Sequence, residues 1–433
     1  MEILGAQALK EASKYTEMVE IFVEKEQSLQ LDLKRDNIDF AKDDSTIGVG
    51  IRLIIDGKMG FSYTSNPEEI EKAVKRAVSN SKANERDENF SLAFPSKYPI
   101  VEGTYDEGFK SLEVDDAVNF ARSMLDTVAE EKCEPTSGGF STGMMETLVL
   151  NSNGVECSNI STGFGGYIAV NAEKDGEKST AYDSKTSCFM DINPEELAKH
   201  VCGIAKDSIG GEHVKTKDMD VILDYHAAAG LLGTFISAIN ADNVQRGRSI
   251  LADKIGEEVL SPNISIFDDG IMKSGLNSSR CDGEGTASEK TTIIKNGVLK
   301  GFIYDLYTAS KGKTSSTGNG NRSSFSETST VGVTNLVVDF NNERDLSELK
   351  DAILVTDVLG AHTANPISGD FSVEANNSFI IKNGEITAPV KKAMLSGNIF
   401  ESLKTAEAIK SPVRQYGPFV IPKILSHNMR VVG

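Results

Sequence analysis

Cysteine is scarce in this chain and arranged for neither of its usual structural uses. The five residues, Cys133, Cys157, Cys188, Cys202 and Cys281, are odd in number and include no Cys-x-x-Cys pair. That pattern argues against a disulfide framework and a zinc ribbon, so the thiols are expected reduced and packed. Long apolar runs are missing as well, since no stretch of about 18 apolar residues could cross a membrane. Met1-Glu2-Ile3-Leu4-Gly5-Ala6 has neither the basic region nor the apolar region of a secretion signal, and the expected location is cytoplasmic. Basic residues are outnumbered, with Lys+Arg 45 against Asp+Glu 64 and a net charge of -19. The acidic residues are scattered and no basic patch relieves them, which speaks against direct binding to nucleic-acid phosphates and is accounted for by solubility.

What remains is a chain of 433 residues with 39% hydrophobic content, long enough for two or three domains with cores of their own. A helix is expected over about residues 3 to 15. The β-branched run Thr46 to Ile55 ends at Asp56-Gly57 and resumes at Lys58-Met59-Gly60-Phe61, the signature of a β-hairpin. Asn66-Pro67-Glu68-Glu69 then opens a helix, with Asn66 as N-cap, Pro67 at N1 and Glu69 placed to close a capping box. Ile70, Ala73, Val74, Ala77 and Val78 supply its apolar face. The same grammar returns further on, with turns at Asn153-Gly154 and Asp175-Gly176 and a second Asn193-Pro194-Glu195-Glu196 start leading into Leu197, Val201, Ile204 and Ala205. A connection from Phe94 to Gly108 and a helix from Val114 to about Glu130 separate the two.

The expected fold class is therefore α+β. An N-terminal α/β region with an internal duplication, residues 1–90 and 91–215, precedes a β-rich C-terminal domain over 216–433. In that last part Ile293-Ile294-Lys295-Asn296-Gly297 and Ile380-Ile381-Lys382-Asn383-Gly384 each read as a strand running into an Asn-Gly turn.

Several motifs that suggest chemistry are incomplete. Gly312-Lys313-Thr314 lacks the glycine that a phosphate-binding loop needs five residues earlier, where Tyr307 stands. Gly48-Val49-Gly50 lies inside a strand and lacks the third glycine of a dinucleotide fingerprint. His200 and Cys202, two apart on a helix, point in different directions. Arg280-Cys281-Asp282-Gly283-Glu284-Gly285-Thr286 reads first as a tight turn capped by its own aspartate, and second as a site for a cation or a positioned water. Two polar loops, one around Asn319 and Arg322 and one carrying His362 and Asp370, are candidates for ligand contact or plain connections.

Taken in order, these segments carry a resemblance. Gly48-Val49-Gly50-Ile51-Arg52 with Gly60-Phe61, Arg246-Gly247-Arg248-Ser249 with Ala252-Asp253-Lys254-Ile255-Gly256, and Asp282-Gly283-Glu284-Gly285 form its first half. Asn296-Gly297-Val298-Leu299 with Tyr304-Asp305, Ser316-Thr317-Gly318-Asn319, Ser368-Gly369-Asp370-Phe371 and Ile381-Lys382-Asn383-Gly384 with Pro389-Val390 continue it. Together they resemble the TldD/PmbA family, whose members bear the names modulator of DNA gyrase and zinc peptidase. The resemblance implies a pair of paralogous subunits, one of which, TldD, carries a His-Glu-x-x-x-His zinc motif and cuts unfolded peptides. The matching stretch here is His226-Ala227-Ala228-Ala229-Gly230-Leu231. Ala227 stands at the position of the general base and Leu231 at that of the second ligand, so His226 is a remnant.

The chain is thus expected to be the non-zinc, PmbA (TldE)-like subunit, with no metal and no cofactor of its own and zinc in a TldD-like partner. A heterodimer with that partner, or a homodimer, is the expected assembly, and an unfolded peptide the expected substrate. Asp282, Glu284, Asn319, Arg322, His362 and Asp370 are its candidate substrate-binding residues. Two alternatives stand beside this reading: a binding or regulatory protein without proteolysis, and a stand-alone hydrolase using residues such as His362 with Asp370.

Overall fold

The computed structural model describes residues 1–433. The N-terminal half is one antiparallel sheet built by two matching units. The first contains α1 (Glu2–Ala12), β1 (Val19–Lys34), β2 (Asn37–Ile55), β3 (Lys58–Thr64) and α2 (Ile70–Ala83). The second contains α3 (Val114–Glu130), β4 (Glu134–Asn151), β5 (Glu156–Lys174), β6 (Glu177–Ser187) and α4 (Pro194–Asp207). The strand order β3-β2-β1-β4-β5-β6 places β1 against β4, so the two meanders meet edge to edge in one six-stranded sheet.

Local chemistry explains the repeated parts. Asp56-Gly57 and Asp175-Gly176 both take positive φ at each central residue, which matches the twist of the strands they join. Asn193 caps α4 by accepting hydrogen bonds from the N–H groups of Glu195 and Glu196 at 2.9 and 3.0 Å. Its counterpart Asn66 accepts only from Glu68, because Pro67–Glu69 first forms a short 3-10 turn. The expected capping box at Glu69 is therefore not made, and its carboxylate pairs with Lys72 at 3.0 Å instead. The first helix also stops at Ala12, short of the expected residue 15.

Strand alternation sorts the two faces of the sheet. On β1, Val19, Ile21 and Val23 pack under α1 and α2, while Leu29, Leu31 and Leu33 pack under α3 and α4. All four helices thus cover one face. The other face presents Glu20, Phe22 and Glu24, each buried, to the C-terminal domain.

That domain begins with β7 (Lys217–Leu223) and α5 (Tyr225–Ile239) and is built on a twelve-stranded mixed sheet. The long strand Phe419–Val432 pairs with Ala393–Asn398 and also with β7, which closes a ring through Asp370–Lys382 and Asp351–Leu359. Closure removes exposed edges from the centre of the sheet. Asn296-Gly297 and Asn383-Gly384 form hairpin turns with positive φ at all four residues. The fold is accordingly α+β with a β-rich C-terminal part, and none of its helices is long and apolar enough to cross a membrane.

Candidate functional site

Two regions bring polar chemistry together. The first is the amino end of α5. Asp224 caps the helix through the Tyr225 N–H at 2.8 Å and is held by Lys423 at 2.7 Å. His226 then projects toward β6, where its Nε2 lies 2.6 Å from Asp183 Oδ1. The other carboxylate oxygen of Asp183 faces His200 Nε2 at 3.4 Å. Tyr416 packs on the His226 ring at 4.2 Å, and a cavity of about 370 Å³ opens beside it, lined also by Lys185, Asn193 and Arg414.

Burial pushes the Asp183 carboxyl up, but the hydrogen bond and charge of His226 outweigh it and hold the group below the usual carboxylate range. Burial acts the other way on His200 and lowers its imidazole despite Asp183. A catalytic zinc makes demands that α5 alone does not meet. Such a site uses three protein ligands and an activated water. Here Ala227 and Leu231 are 0% and 1% exposed in the core, and neither carries a metal-ligating group.

The second region lies between the helix-free face of the N-terminal sheet and the loops of the C-terminal domain, around a cavity of about 900 Å³. Phe22, Met145, Thr147, Ser158, Asn159 and Ile160 line it from the sheet, and Arg280, Asp282, Asn319, Asn321 and Arg322 from the loops. The loop after Arg322 presses onto β2 closely enough that side chains are excluded. A Cβ on Gly48 would sit 2.3 Å from the Phe325 ring, and one on Gly50 2.6 Å from the Phe325 carbonyl oxygen. The Gly48-Val49-Gly50 pattern is thus a close-packing device.

Beneath the cavity lies a buried charge network. Glu20, 0% exposed, receives Arg52 Nε at 3.1 Å and is also paired with Arg322. The Arg322 guanidinium lies 4.7 Å over the Phe22 ring, and Arg52 Nη2 stands 3.9 Å from Glu284. Burial raises the Glu20 carboxyl, yet the two guanidinium charges and their hydrogen bonds carry it below the usual range. Glu24, four residues along the same face, has no ion pair of this kind. Burial and the neighbouring Glu26 push it up to about 7. A group raised on folding contributes stability that is complete below its unfolded pKa and is lost as pH rises through the folded one. Glu24→Gln is therefore expected to reduce the fall in stability between about pH 4.5 and about pH 7 by one proton's worth of slope. Urea midpoints across that range provide the test, and an unchanged slope rules out this assignment.

The sequence candidates separate into two groups. Asp282 accepts N–H bonds from Glu284, Thr286 and Gly320 at 3.0, 2.9 and 2.8 Å, and burial with the charge of Glu284 pushes it up to about 8. Glu284 accepts from the Leu306 N–H at 2.8 Å and the Ser329 hydroxyl at 2.7 Å. Asn319 donates to Asp268 and the Gly332 carbonyl at 2.7 and 2.9 Å. These three carry the loops that shape the 900 Å³ cavity, and Arg322 joins them to the sheet. His362 and Asp370 lie elsewhere. His362 is exposed on a 3-10 turn, and Asp370 is engaged by Ser368 and Asn398 at 2.7 and 2.9 Å. Sequence reasoning missed Asp183, Tyr416 and Glu20. Glu20 left a trace, as a charge within the apolar run Val19 to Val23.

Comparison with known proteins places these features in context. Family models described as PmbA/TldA metallopeptidase domain 1, central domain and C-terminal domain match residues 19–81, 107–209 and 216–433. An uncharacterised protein of Methanocaldococcus jannaschii is 34% identical over 409 residues, covering 94% of each chain. A metalloprotease PmbA homologue of Haemophilus influenzae is 25% identical over 455 residues, covering 98% of this chain and 94% of its own. The crystal structure of TldE from Thermococcus kodakarensis superposes with a TM-score of 0.93 at 25% identity, covering 99% of this chain and 100% of that one.

Proposed function

The chain belongs to the PmbA/TldD metallopeptidase family, and from that premise we propose that it is the TldE-type subunit of a two-subunit peptidase, without a catalytic zinc of its own. A TldD-like partner supplies the metal, and the pair hydrolyses unfolded peptides in the cytoplasm, for degradation or peptide maturation. One observation carries the reading. At the start of α5 the imidazole of His226 is held by Asp183, while Ala227 and Leu231 are sealed in the core. A zinc hydrolase needs a base to take a proton from the metal-bound water, and this helix offers none.

What this chain contributes is a place for substrate. The cavity between sheet and loops is large enough for several residues of an extended chain, and Arg280 and the side chain of Asn321 can meet its main-chain groups. Binding through the main chain accepts many sequences.

Metal content and peptidase activity test the proposal together. The purified chain is expected to hold no stoichiometric zinc and to leave an unstructured peptide intact, whereas mixing it with the TldD-like subunit should produce a complex with activity above either chain alone. Stoichiometric zinc with hydrolysis by the lone chain overturns it. A partner whose activity ignores this chain would point instead to a regulatory role without proteolysis.

A further inference from the structure

We propose that Cys157 and Cys281 are a reversible thiol–disulfide pair, oxidised by a hydroperoxide that enters the interdomain cavity. The two residues are more than a hundred positions apart in the chain and belong to different domains. Cys157 stands on β5 opposite Val149, and Cys281 on the turn that leads into Asp282. Both are 2% exposed within one small cluster with Phe22, Ala93, Val149 and Val155. The two side chains share that cluster, and Asn159 Nδ2, two residues along β5 from Cys157, donates to the Cys281 sulfur at 3.5 Å.

Their surroundings differ from those of the other cysteines. Cys281 lines the 900 Å³ cavity together with Ser158 and Asn159, the residues that follow Cys157, so the pair lies at the wall of that space. Cys133 and Cys202 also face each other, but inside the core between the sheet and its helices. Cys188 has no thiol neighbour and lies against the carbonyls of Ser274 and Gly275. The chemistry of the pair is asymmetric. The hydrogen bond from Cys281 and the charge of Arg280 draw the Cys157 thiol below its usual range against burial, while the same hydrogen bond and burial push Cys281 up. Of the two, Cys157 is the one that ionises more readily.

The step balances as follows. The Cys157 thiolate attacks one peroxide oxygen, an S–O bond forms and the O–O bond breaks. The departing alkoxide or hydroxide takes the proton of Cys281. The Cys281 thiolate then attacks the sulfenic sulfur of Cys157, the S–S bond forms, and the hydroxyl leaves as water with a proton from solvent. Two electrons pass from the thiols to the peroxide, and an added dithiol returns them.

Such a bond would fasten β5 to the turn that holds Asp282, closing a long loop across the domain boundary. The experiment treats the reduced full-length chain with hydrogen peroxide, alkylates it after unfolding, and maps peptides without reductant. The expected result is a Cys157–Cys281 crosslinked peptide with loss of two hydrogen atoms. Dithiothreitol should reverse it, and Cys133, Cys188 and Cys202 should all remain alkylatable. The oxidised chain should melt several degrees higher than the reduced one, a difference that Cys281→Ser removes and Cys202→Ser retains. Absence of the crosslink while peroxide is consumed, or a Cys133–Cys202 crosslink forming as readily, overturns the proposal.

Discussion

Glu20→Ala is expected to lower the stability of the chain by about 3–5 kcal/mol, as removal of one partner from a buried ion pair does elsewhere. The reason is that two cations share this single carboxylate. Without it Arg52 retains Glu284 at 3.9 Å and the Ser91 carbonyl at 3.4 Å, whereas Arg322 keeps the face of Phe22 and the longer-range charge of Glu24. Nε and Nη1 of Arg322 already lack hydrogen-bond partners, so that guanidinium would become a nearly unanswered charge in a site with 1% side-chain exposure. Equilibrium urea unfolding measures the loss. Replacing Glu20 and Arg322 together by methionine should recover much of it, because the uncompensated charge goes too. A loss below about 1 kcal/mol for the single variant would show that the network contributes like a surface pair. The acid limb has a definite sign. The Glu20 carboxyl is lowered on folding, so its contribution is present above the usual carboxylate pKa and is lost as pH falls through the lowered value.

Ala227→Glu, the change that writes the missing base back into α5, should destabilise by about 4 kcal/mol or more and confer no hydrolysis. Position 227 has no exposure and belongs to the main core of the C-terminal domain. A carboxylate there would lose its hydration without gaining a partner, and its added atoms would strain neighbours already in contact. Ala227→Ser, smaller and uncharged, should cost much less. Thermal unfolding of the two variants, with zinc analysis of Ala227→Glu combined with Leu231→His, tests both halves of the argument. A double variant that stays folded and binds zinc stoichiometrically would mean that the helix can turn its core face toward His226.

What the sequence disclosed and what it hid follow from the range of the interactions. Asp56-Gly57, Asp175-Gly176, Asn296-Gly297 and Asn383-Gly384 make their turns by local backbone preference, and all four are hairpins in the structure. Asn193 and Asn66 were equally legible as helix starts, although the 3-10 turn at Pro67–Glu69 changed what Glu69 could reach. The pairing of β1 with β4 was not legible, because it joins strands separated by the rest of the first unit and the first helix of the second. His226 could be recognised, but Asp183 could not, since nothing in the composition of β6 marks one aspartate among its polar residues as the partner of two imidazoles. The loops that carry Asp282, Asn319 and Arg322 were visible as polar and glycine-rich. Their convergence on one face of a sheet two hundred residues upstream was not.

The seam between β1 and β4 also sets an order of events during synthesis. When β1, β2 and β3 have left the ribosome they can form their own meander and take α1 and α2 onto one face. The outer edge of β1, from Glu20 to Lys34, must then wait until β4 has been translated. Throughout that interval a long strand edge is unpaired, the condition in which nascent chains pair with the wrong neighbour. Slowing translation between the two units should therefore increase aggregation of this protein, while supplying β4 early should suppress it.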